Sequence, residues 1–322
     1  MTPAIVILAA TATGVSSYRL ASMFSRRFVA LGITGIDIHK LDRPIRAEMG
    51  GLSVLLAMTL GSGLLMALDG ERSLLFLAGV GTLTLTGIVG LADDKWELRQ
   101  RDKAMLIAGA SIVLSFSLAG RSDVLFPIIG AVPFGALYPL LVVPLAITTA
   151  ANFSNMLAGF NGLEAGIAAI SVGVMTALSA VTGSEEGALL GLILLFAYLG
   201  FLAMNWYPAK IFPGDTGTLM FGAGVAAIGL ISHLEMASII LCMPAALDFA
   251  LKLTSKRPFG QRRVYGNTQV NADGVLVPAN YPALVHAFMR VAPTGERTLV
   301  TSILAMEGLY AVLAVAVTLV HF

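Results

Sequence analysis

Long apolar runs dominate this chain, and short polar segments separate them. Ten runs approach the roughly 20 apolar residues that a bilayer-crossing helix needs. They cover residues 3–24, 51–68, 74–92, 104–120, 136–152, 166–182, 187–205, 216–233, 236–253 and 298–320. The runs are continuously apolar and lack the period-2 alternation of barrel strands, so each is predicted to be a helix. The pattern predicts an all-α polytopic membrane protein, with residues 1–322 forming one integral membrane domain.

Composition supports this interpretation. Of the 322 residues, 57% are hydrophobic and 12% are charged, whereas an ordinary soluble domain has about 25% charged residues. These values exclude a soluble globule and a disordered chain. The single cysteine, Cys242, excludes a disulfide scaffold. A net charge of +1 gives no reason to expect a nucleic acid as a partner.

The few basic residues lie mostly on one predicted face of the bundle. With ten spans, one set of connecting segments comprises residues 25–50, 93–103, 153–165, 206–215 and 254–297. All of the 20 basic residues except Arg72 and Arg121 lie in or near this set. The positive-inside rule therefore predicts that this set is cytoplasmic. We expect the chemistry of the protein at that face.

Segment 254–297, between the last two spans, is the longest polar segment. Its residues Asn271 to Gly274 predict a turn between short strands. A basic cluster in the same segment suits either anionic lipid head groups or a phosphorylated substrate. The cluster consists of Lys256, Arg257, Arg262 and Arg263.

Two adjacent carboxylates, Asp93 and Asp94, end the third span, and Lys103 follows within ten residues. Adjacent carboxylates repel each other unless a cation or basic group lies nearby, so this cluster suits an anionic substrate with a divalent metal. The alternative is a solvated loop that only sets the topology. Similarly, Asp215 at the start of a span could ligate a metal or phosphate, or cap the next helix.

An amide-rich turn joins the fifth and sixth spans. Asn152 and Asn155 are three residues apart and would share a helix face, and asparagine can offer a metal a carbonyl oxygen or contact a nucleobase edge. The alternative is a glycine-rich turn with asparagine caps. In the first inner segment, His39 alone is expected to be a solvated loop histidine.

Two acidic residues lie within predicted spans. Asp248 is expected to pair with Lys252, four residues later. Glu307 has no obvious partner in the sequence, and we favour structural pairing over a functional role.

Together these motifs resemble the polyprenyl-phosphate N-acetylhexosamine-1-phosphate transferase superfamily, glycosyltransferase family 4, over nearly the whole chain. The resemblance rests on four elements, which are Asp93-Asp94 with Lys103, Asn152-x-x-Asn155, Gly214-Asp215, and Pro44 with Glu48-Met49-Gly50-Gly51. The run from Ala158 to Gly166 resembles the eukaryotic and archaeal UDP-GlcNAc:dolichyl-phosphate GlcNAc-1-phosphate transferases. The bacterial phospho-MurNAc-pentapeptide enzymes usually have Asp-Gly after the second asparagine and a histidine triplet in the long segment. This chain has Ala158-Gly159 and lacks the triplet.

The resemblance implies transfer of GlcNAc-1-phosphate from UDP-GlcNAc to a dolichyl or polyprenyl phosphate, an initiating step of glycan assembly. The products would be UMP and lipid-pyrophosphate-GlcNAc. It implies dependence on Mg²⁺, with Mn²⁺ as a substitute, and is compatible with a homodimer. The enzyme would lie in the plasma membrane of a prokaryote or the endoplasmic reticulum membrane of a eukaryote.

The resemblance also implies residue roles. The catalytic set would be Asp93, Asp94, Lys103 and Asp215, and Asn155 and Asp215 would hold the metal. Asn161 would read the uracil edge and Phe212 would stack on its face. Lys103 and one or both of Arg262 and Arg263 would neutralise phosphate oxygens. The remaining substrate-binding residues would be Lys40, Glu48, Asn152, Gly162 and Glu164. Direct in-line attack by the lipid phosphate and a two-step path through an aspartate nucleophile both remain open.

Two alternatives remain. The donor could be another UDP-N-acetylhexosamine, as in the phospho-MurNAc-pentapeptide enzymes. A multi-span transporter is the alternative from a different class, but it would place ionisable residues deep in several spans and often has internal repeats. Here only Asp248 and Glu307 intrude into the spans, and the sequence shows no repeat.

Overall fold

The computed structural model describes residues 3–69, 73–126, 129–254 and 268–320. Within these ranges, nine helices are long and apolar enough to cross a membrane. They are α1 (Pro3–Ala30), α2 (Gly51–Asp69), α3 (Leu74–Trp96), α5 (Val143–Met156), α6 (Leu163–Val181), α7 (Glu185–Asn205), α8 (Gly214–Ser232), α9 (Glu235–Leu253) and α11 (Glu296–Leu319). A π-helical turn over Tyr138–Val142 leads into α5 and extends it to the length of a span.

The fourth predicted span, 104–120, corresponds to α4 (Gln100–Ser117), which is not among these nine helices. The helix begins four residues before the predicted start at 104, and its first turn carries Arg101, Asp102 and Lys103. The apolar pattern excluded these charged residues from the span. The structure includes them because the Lys103 ammonium is paired inside the protein.

Helix α8 lies at the centre of the bundle and contacts α2, α3, α5, α6, α7 and α9. Every residue from Thr216 to Ser232 is buried. Small residues permit this packing: a Cβ on Gly222 would lie 2.1 Å from the Ala150 carbonyl oxygen of α5. Such close backbone approach is typical of small residues at membrane-helix interfaces.

The two sets of connecting segments lie at opposite ends of the bundle. At one end, Lys40 bonds to Asn161, Asn161 bonds to Ala209, and Lys103 bonds to Asp215. At the other end, Arg121 donates to the last carbonyls of α8, and Tyr138 donates to Glu235 over 2.7 Å. Glu296 also bonds to Asn161 at the first end, so the described parts of the segments predicted to share a face lie at the same end.

Short elements complete the described fold. Gln269–Val270 (β5) pairs with Leu276–Val277 (β6) around the turn at 271–274, which confirms the predicted turn between strands. Two other antiparallel pairs were not predicted, and neither was the short helix α10 (Leu284–Val291). These pairs are Thr34–Ile36 (β1) with Ile45–Ala47 (β2), and Asp123–Phe126 (β3) with Gly130–Pro133 (β4).

Candidate active site

A buried lysine joins two of the predicted acidic residues. The Lys103 ammonium lies 2.7 Å from Asp93 Oδ2 and 2.9 Å from Asp215 Oδ2. The Lys103 side chain is 3% exposed, so this pairing takes place in a largely water-excluded environment. Asp93 also accepts the Leu98 backbone N–H over 2.7 Å, which closes the turn after α3. The structure thus brings Asp93, Lys103 and Asp215 together from α3, α4 and α8.

Asp94 bonds to the start of α8. Its Oδ1 accepts the Asp215 N–H over 2.6 Å, and its Oδ2 accepts the Thr216 N–H and hydroxyl over 3.1 and 2.6 Å. These bonds satisfy N–H groups that have no partner within the helix. The helices meet closely here because Gly90 lacks a side chain: its Cβ would lie 2.5 Å from Thr216 Cα. Asp94, and not Asp215, therefore caps α8.

Asn155, in the last turn of α5, reaches the same cluster. Its Nδ2 donates to Asp215 Oδ2 over 3.0 Å, and its Oδ1 accepts the Thr218 hydroxyl over 2.8 Å. Asn152 lies on the preceding turn and donates to the Thr148 carbonyl over 2.8 Å. Asn155 therefore contacts the acidic cluster, whereas the hydrogen bond recorded for Asn152 is within its own helix.

A cavity of about 400 Å³ lies against this cluster. Predicted site residues that line it are Glu48, Asn155, Glu164, Phe212 and Asp215. Its far wall comes from α9 and the segment after it, where Asp248, Lys252, Thr268, Tyr281 and His286 line it. The acidic cluster therefore adjoins a cavity whose walls are partly aromatic and partly polar.

Glu164, in the first turn of α6, is 5% exposed. Its Oε1 accepts the Gly159 N–H over 2.6 Å, while its Oε2 has no hydrogen-bond partner among the described residues. Gly162 precedes α6 with a φ of +80°, and a Cβ there would lie 2.8 Å from the Trp206 ring. The glycine is required by both its conformation and this close contact.

Lys40 and Asn161 lie behind the cavity wall and are not among its lining residues. Asn161 is 2% exposed, and its Oδ1 accepts the Ala209 N–H over 2.6 Å and the Lys40 ammonium over 3.2 Å. Its Nδ2 donates to Asp37 Oδ2 over 3.2 Å. In this structure the Asn161 side-chain amide is bonded to protein groups, and its implied role in reading the uracil edge stays a prediction.

Asp37 and Glu296 were not predicted as site residues, and neither were Thr268, Tyr281 and His286 of the far wall. Asp37 and Glu296 both contact Lys40. A buried lysine needs carboxylate partners. The chain holds 19 acidic residues, however, and no spacing in the sequence indicates that Asp37 and Glu296 are the partners of Lys40. By contrast, the predicted Asp248–Lys252 pair is confirmed, at 2.6 Å. Arg262 and Arg263 lie outside the described residues.

His39 is not solvated, contrary to expectation. It is 9% exposed and stacks on Phe160 with ring centroids 4.2 Å apart. Burial lowers the pKa of His39 to about 4, against an opposing effect of Asp37. Burial also raises the pKa of Glu48, and the charge of Asp94 adds to this shift. His39 is therefore a neutral, packed part of the cavity wall at neutral pH.

The chain is similar to a protein-family model and to several known proteins. The model of glycosyl transferase family 4 matches residues 76–233. A relative from Saccharolobus solfataricus, provisionally named as a UDP-N-acetylglucosamine–dolichyl-phosphate N-acetylglucosaminephosphotransferase, is 32% identical over 287 residues, covering 87% of each chain. The chain belongs to glycosyl transferase family 4.

Two further family members bear on the branch. A protein of Sulfolobus acidocaldarius with the same provisional name is 30% identical over 88% of this chain and 87% of its own. The phospho-N-acetylmuramoyl-pentapeptide-transferase of Shouchella clausii is 32% identical, but over only 66% of this chain and 71% of its own. The family match over 76–233 includes Asp93, Lys103, Asn155 and Asp215, so the cluster falls within the matched part of the chain.

Proposed function

We propose that this membrane protein transfers GlcNAc-1-phosphate from UDP-GlcNAc to a dolichyl or polyprenyl phosphate, releasing UMP. The observation that carries the proposal is the buried contact of Lys103 with Asp93 and with Asp215, which lines the cavity. The names of the two archaeal relatives support this donor and acceptor. The shorter match to the phospho-MurNAc-pentapeptide enzyme makes a UDP-MurNAc-pentapeptide donor the weaker candidate.

Charge neutralisation is the main task in this reaction, because a phosphate anion attacks a pyrophosphate anion. Lys103 is positioned to supply one positive charge, and its two carboxylate partners hold its ammonium in place. A lysine on a flexible stem would otherwise adopt several rotamers. We assign Lys103 to phosphate oxygens of the donor and Asp93 to the orientation of Lys103.

Asp215 and Asn155 suit a divalent cation such as Mg²⁺. Carboxylate and amide oxygens are the hard ligands that Mg²⁺ and Mn²⁺ prefer, and 30% of the Asp215 side chain is exposed beside the cavity. The Thr218 hydroxyl can accept as well as donate, so the Asn155 amide can turn its oxygen toward the cavity and keep a bond to Thr218. When bound, the ion would neutralise donor pyrophosphate oxygens.

Asp94 positions Asp215 by binding the start of α8. All of its recorded hydrogen bonds go to Asp215 and Thr216 at the start of α8. Both carboxylate oxygens are therefore engaged, which favours a positioning role over that of a nucleophile or base. Asp93 is similarly engaged by Leu98 and Lys103. These contacts favour direct attack by the lipid phosphate over a covalent aspartyl intermediate.

We place the site on the cytoplasmic face, because the segments that build it carry most of the basic residues. A soluble nucleotide sugar would reach it from that side. The lipid acceptor would enter from the bilayer.

The test is UMP release by the purified protein with polyprenyl phosphate, Mg²⁺ and a panel of UDP-sugars. UDP-GlcNAc is expected to be the preferred donor, and a chelator is expected to abolish turnover until Mg²⁺ or Mn²⁺ is restored. Preference for UDP-MurNAc-pentapeptide would move the protein to the other branch. Flux of a solute in proteoliposomes without UMP release would favour a transporter.

A further inference from the structure

A second buried ion cluster adjoins the cavity: its Asp37 lines the wall, whereas its Lys40, Asn161 and Glu296 are not lining residues. The Lys40 ammonium lies 2.9 Å from Asp37 Oδ2 and also binds Glu296 Oε2. Glu296 Oε1 accepts the Asn161 backbone N–H over 2.7 Å. The ammonium also lies 4.4 Å from the centre of the Tyr207 ring. We call these residues, Asp37, Lys40, Asn161 and Glu296, the Lys40 cluster.

The Lys40 cluster connects three separate parts of the chain. Asp37 and Lys40 belong to the β1–β2 segment, Asn161 to the turn before α6, and Glu296 to the first turn of α11. Through Asn161 it also holds Ala209, three residues before Phe212. His39, Phe160 and Phe212 lie close to these residues in sequence and line the cavity. The cluster therefore fixes the relative positions of the segments that form this wall.

The wall held by this cluster contains two unsatisfied polar groups. His39 Nε2 and Glu164 Oε2 are buried and have no hydrogen-bond partner among the described residues. Both residues line the cavity, and an unsatisfied buried polar group is costly unless a ligand or water supplies a partner. The wall that the Lys40 cluster holds therefore contains two polar atoms without a partner in this structure.

We infer that Glu296 is a positioning residue for the nucleotide-sugar donor, acting through Lys40 and Asn161 on the wall that carries His39, Phe160 and Phe212. This inference rests on the proposed function, in which the cavity takes the donor. Glu296 reaches both partners with one carboxylate, so its two oxygens set the spacing between the β1–β2 segment and the turn before α6. It touches neither Lys103 nor Asp215 in any recorded contact.

Glu296→Gln tests this role with little change in shape. Both partners of Glu296 are donors, so an amide nitrogen must face either the Lys40 ammonium or the Asn161 N–H. We expect the KM for UDP-GlcNAc to rise by about tenfold while kcat changes less than about threefold, the pattern of weakened donor binding. UMP binding, measured by calorimetry, is expected to weaken to a similar extent.

Glu235→Gln is the matched control. Glu235 also lies in the first turn of its helix, and its exposure of 6% is close to the 5% of Glu296, but it bonds to Tyr138 at the opposite end of the bundle. The control variant is expected to keep the wild-type KM and kcat, whatever its effect on thermal stability. Equal changes of KM in both variants would show a general loss of stability and overturn the inference.

Lys40→Met and the double variant Lys40→Met/Glu296→Gln test whether Glu296 acts through its contact with the Lys40 ammonium. In the double variant the glutamine no longer faces an ammonium, so the two effects on KM are expected to be less than multiplicative. If Glu296→Gln fails to fold, Lys40→Met alone must still raise the donor KM more than it lowers kcat. An unchanged KM in every folded variant, or a selective loss of kcat, would overturn the inference. Absence of UMP release by the wild-type protein would instead refute the proposed function.

Discussion

At the scale of single residues, Lys103 holds the acidic cluster together. Its ammonium is the only recorded salt-bridge partner of Asp93 and Asp215 among the described residues. Without it, two carboxylates would face each other in a largely buried site, which raises the energy of the ionised state. The same positive charge is the one that we assign to donor phosphate oxygens.

Lys103→Gln is therefore expected to lower kcat by about 10²–10³-fold, the usual effect of removing a charge-stabilising group from an active site. Lys95→Gln provides a control, because Lys95 is exposed and its ammonium lies over the Trp96 ring at the end of α3. The measurement is UMP release at saturating UDP-GlcNAc. Equal activity in the two variants would remove Lys103 from the mechanism.

His39 offers a test by pH. Burial lowers its pKa from 6.5 to about 4, so the folded protein resists protonation that the unfolded chain accepts. The stabilising effect is complete above pH 6.5 and is lost as pH falls toward 4. Protonation of His39 should then cost up to about 3 kcal/mol of the free energy of unfolding.

Because other groups titrate in this range, the prediction concerns the difference between wild type and His39→Gln. The thermal stability of the wild type should decline more steeply between pH 7 and pH 4. Thermal unfolding in detergent across this range measures the difference. Parallel curves would mean that His39 is not buried in its neutral form.

At the scale of elements, the start of α8 depends on a carboxylate from α3. Asp94 accepts three hydrogen bonds from the first turn of α8, and the same turn carries Asp215. Loss of a helix cap typically costs about 0.5–2 kcal/mol. Loss of this one should also release Asp215 from its position.

Asp94→Ala is accordingly expected to lower the melting temperature and, in the protein that remains folded, to reduce kcat at least about tenfold. Asp42→Ala serves as the control, since Asp42 is an exposed acidic residue of the β1–β2 segment. Thermal unfolding and UMP release are measured on the same preparations. Full activity of a folded Asp94→Ala protein would show that Asp215 does not need this support.

The helices could be predicted well from sequence, whereas the short strands could not. The apolar run 187–205 corresponds to the helix Glu185–Asn205, and the run 216–233 corresponds to Gly214–Ser232. The agreement is close because length and hydropathy largely determine which segments span a bilayer as helices. The β1–β2 pair covers only three residues on each side, too few for a periodic pattern. The strands on either side of 271–274 could be predicted because asparagine and glycine mark a turn.

At the scale of the whole molecule, all segments predicted to be cytoplasmic meet at one end to the extent that the structure describes them. Cysteine labelling tests the direction in which that end faces. In a Cys242→Ala background, a cysteine at Lys95 should react with a membrane-impermeant maleimide only in inverted vesicles. A cysteine at Glu185, at the other end, should react only in right-side-out vesicles. The opposite pattern would reverse the assigned orientation.

Which residues would meet at that end was only partly predictable. The Asp93, Lys103, Asn155 and Asp215 group could be named because family motifs mark each member. The Lys40 cluster could not, since Asp37 and Glu296 are separated by most of the chain and belong to no quoted motif. Their proximity follows from helix packing, and the apolar pattern does not specify helix packing.

The central claim is that a sugar phosphate, and not the sugar alone, moves to the lipid. The most direct test follows UDP-GlcNAc labelled with ³²P at the β-phosphate, in the presence of dolichyl phosphate and the purified protein. Attack on the β-phosphorus breaks its bond to the oxygen that leaves with UMP. The label is expected in the lipid pyrophosphate, with one unlabelled UMP released per turnover. Label that remains in UDP while the sugar moves to lipid would contradict the claim.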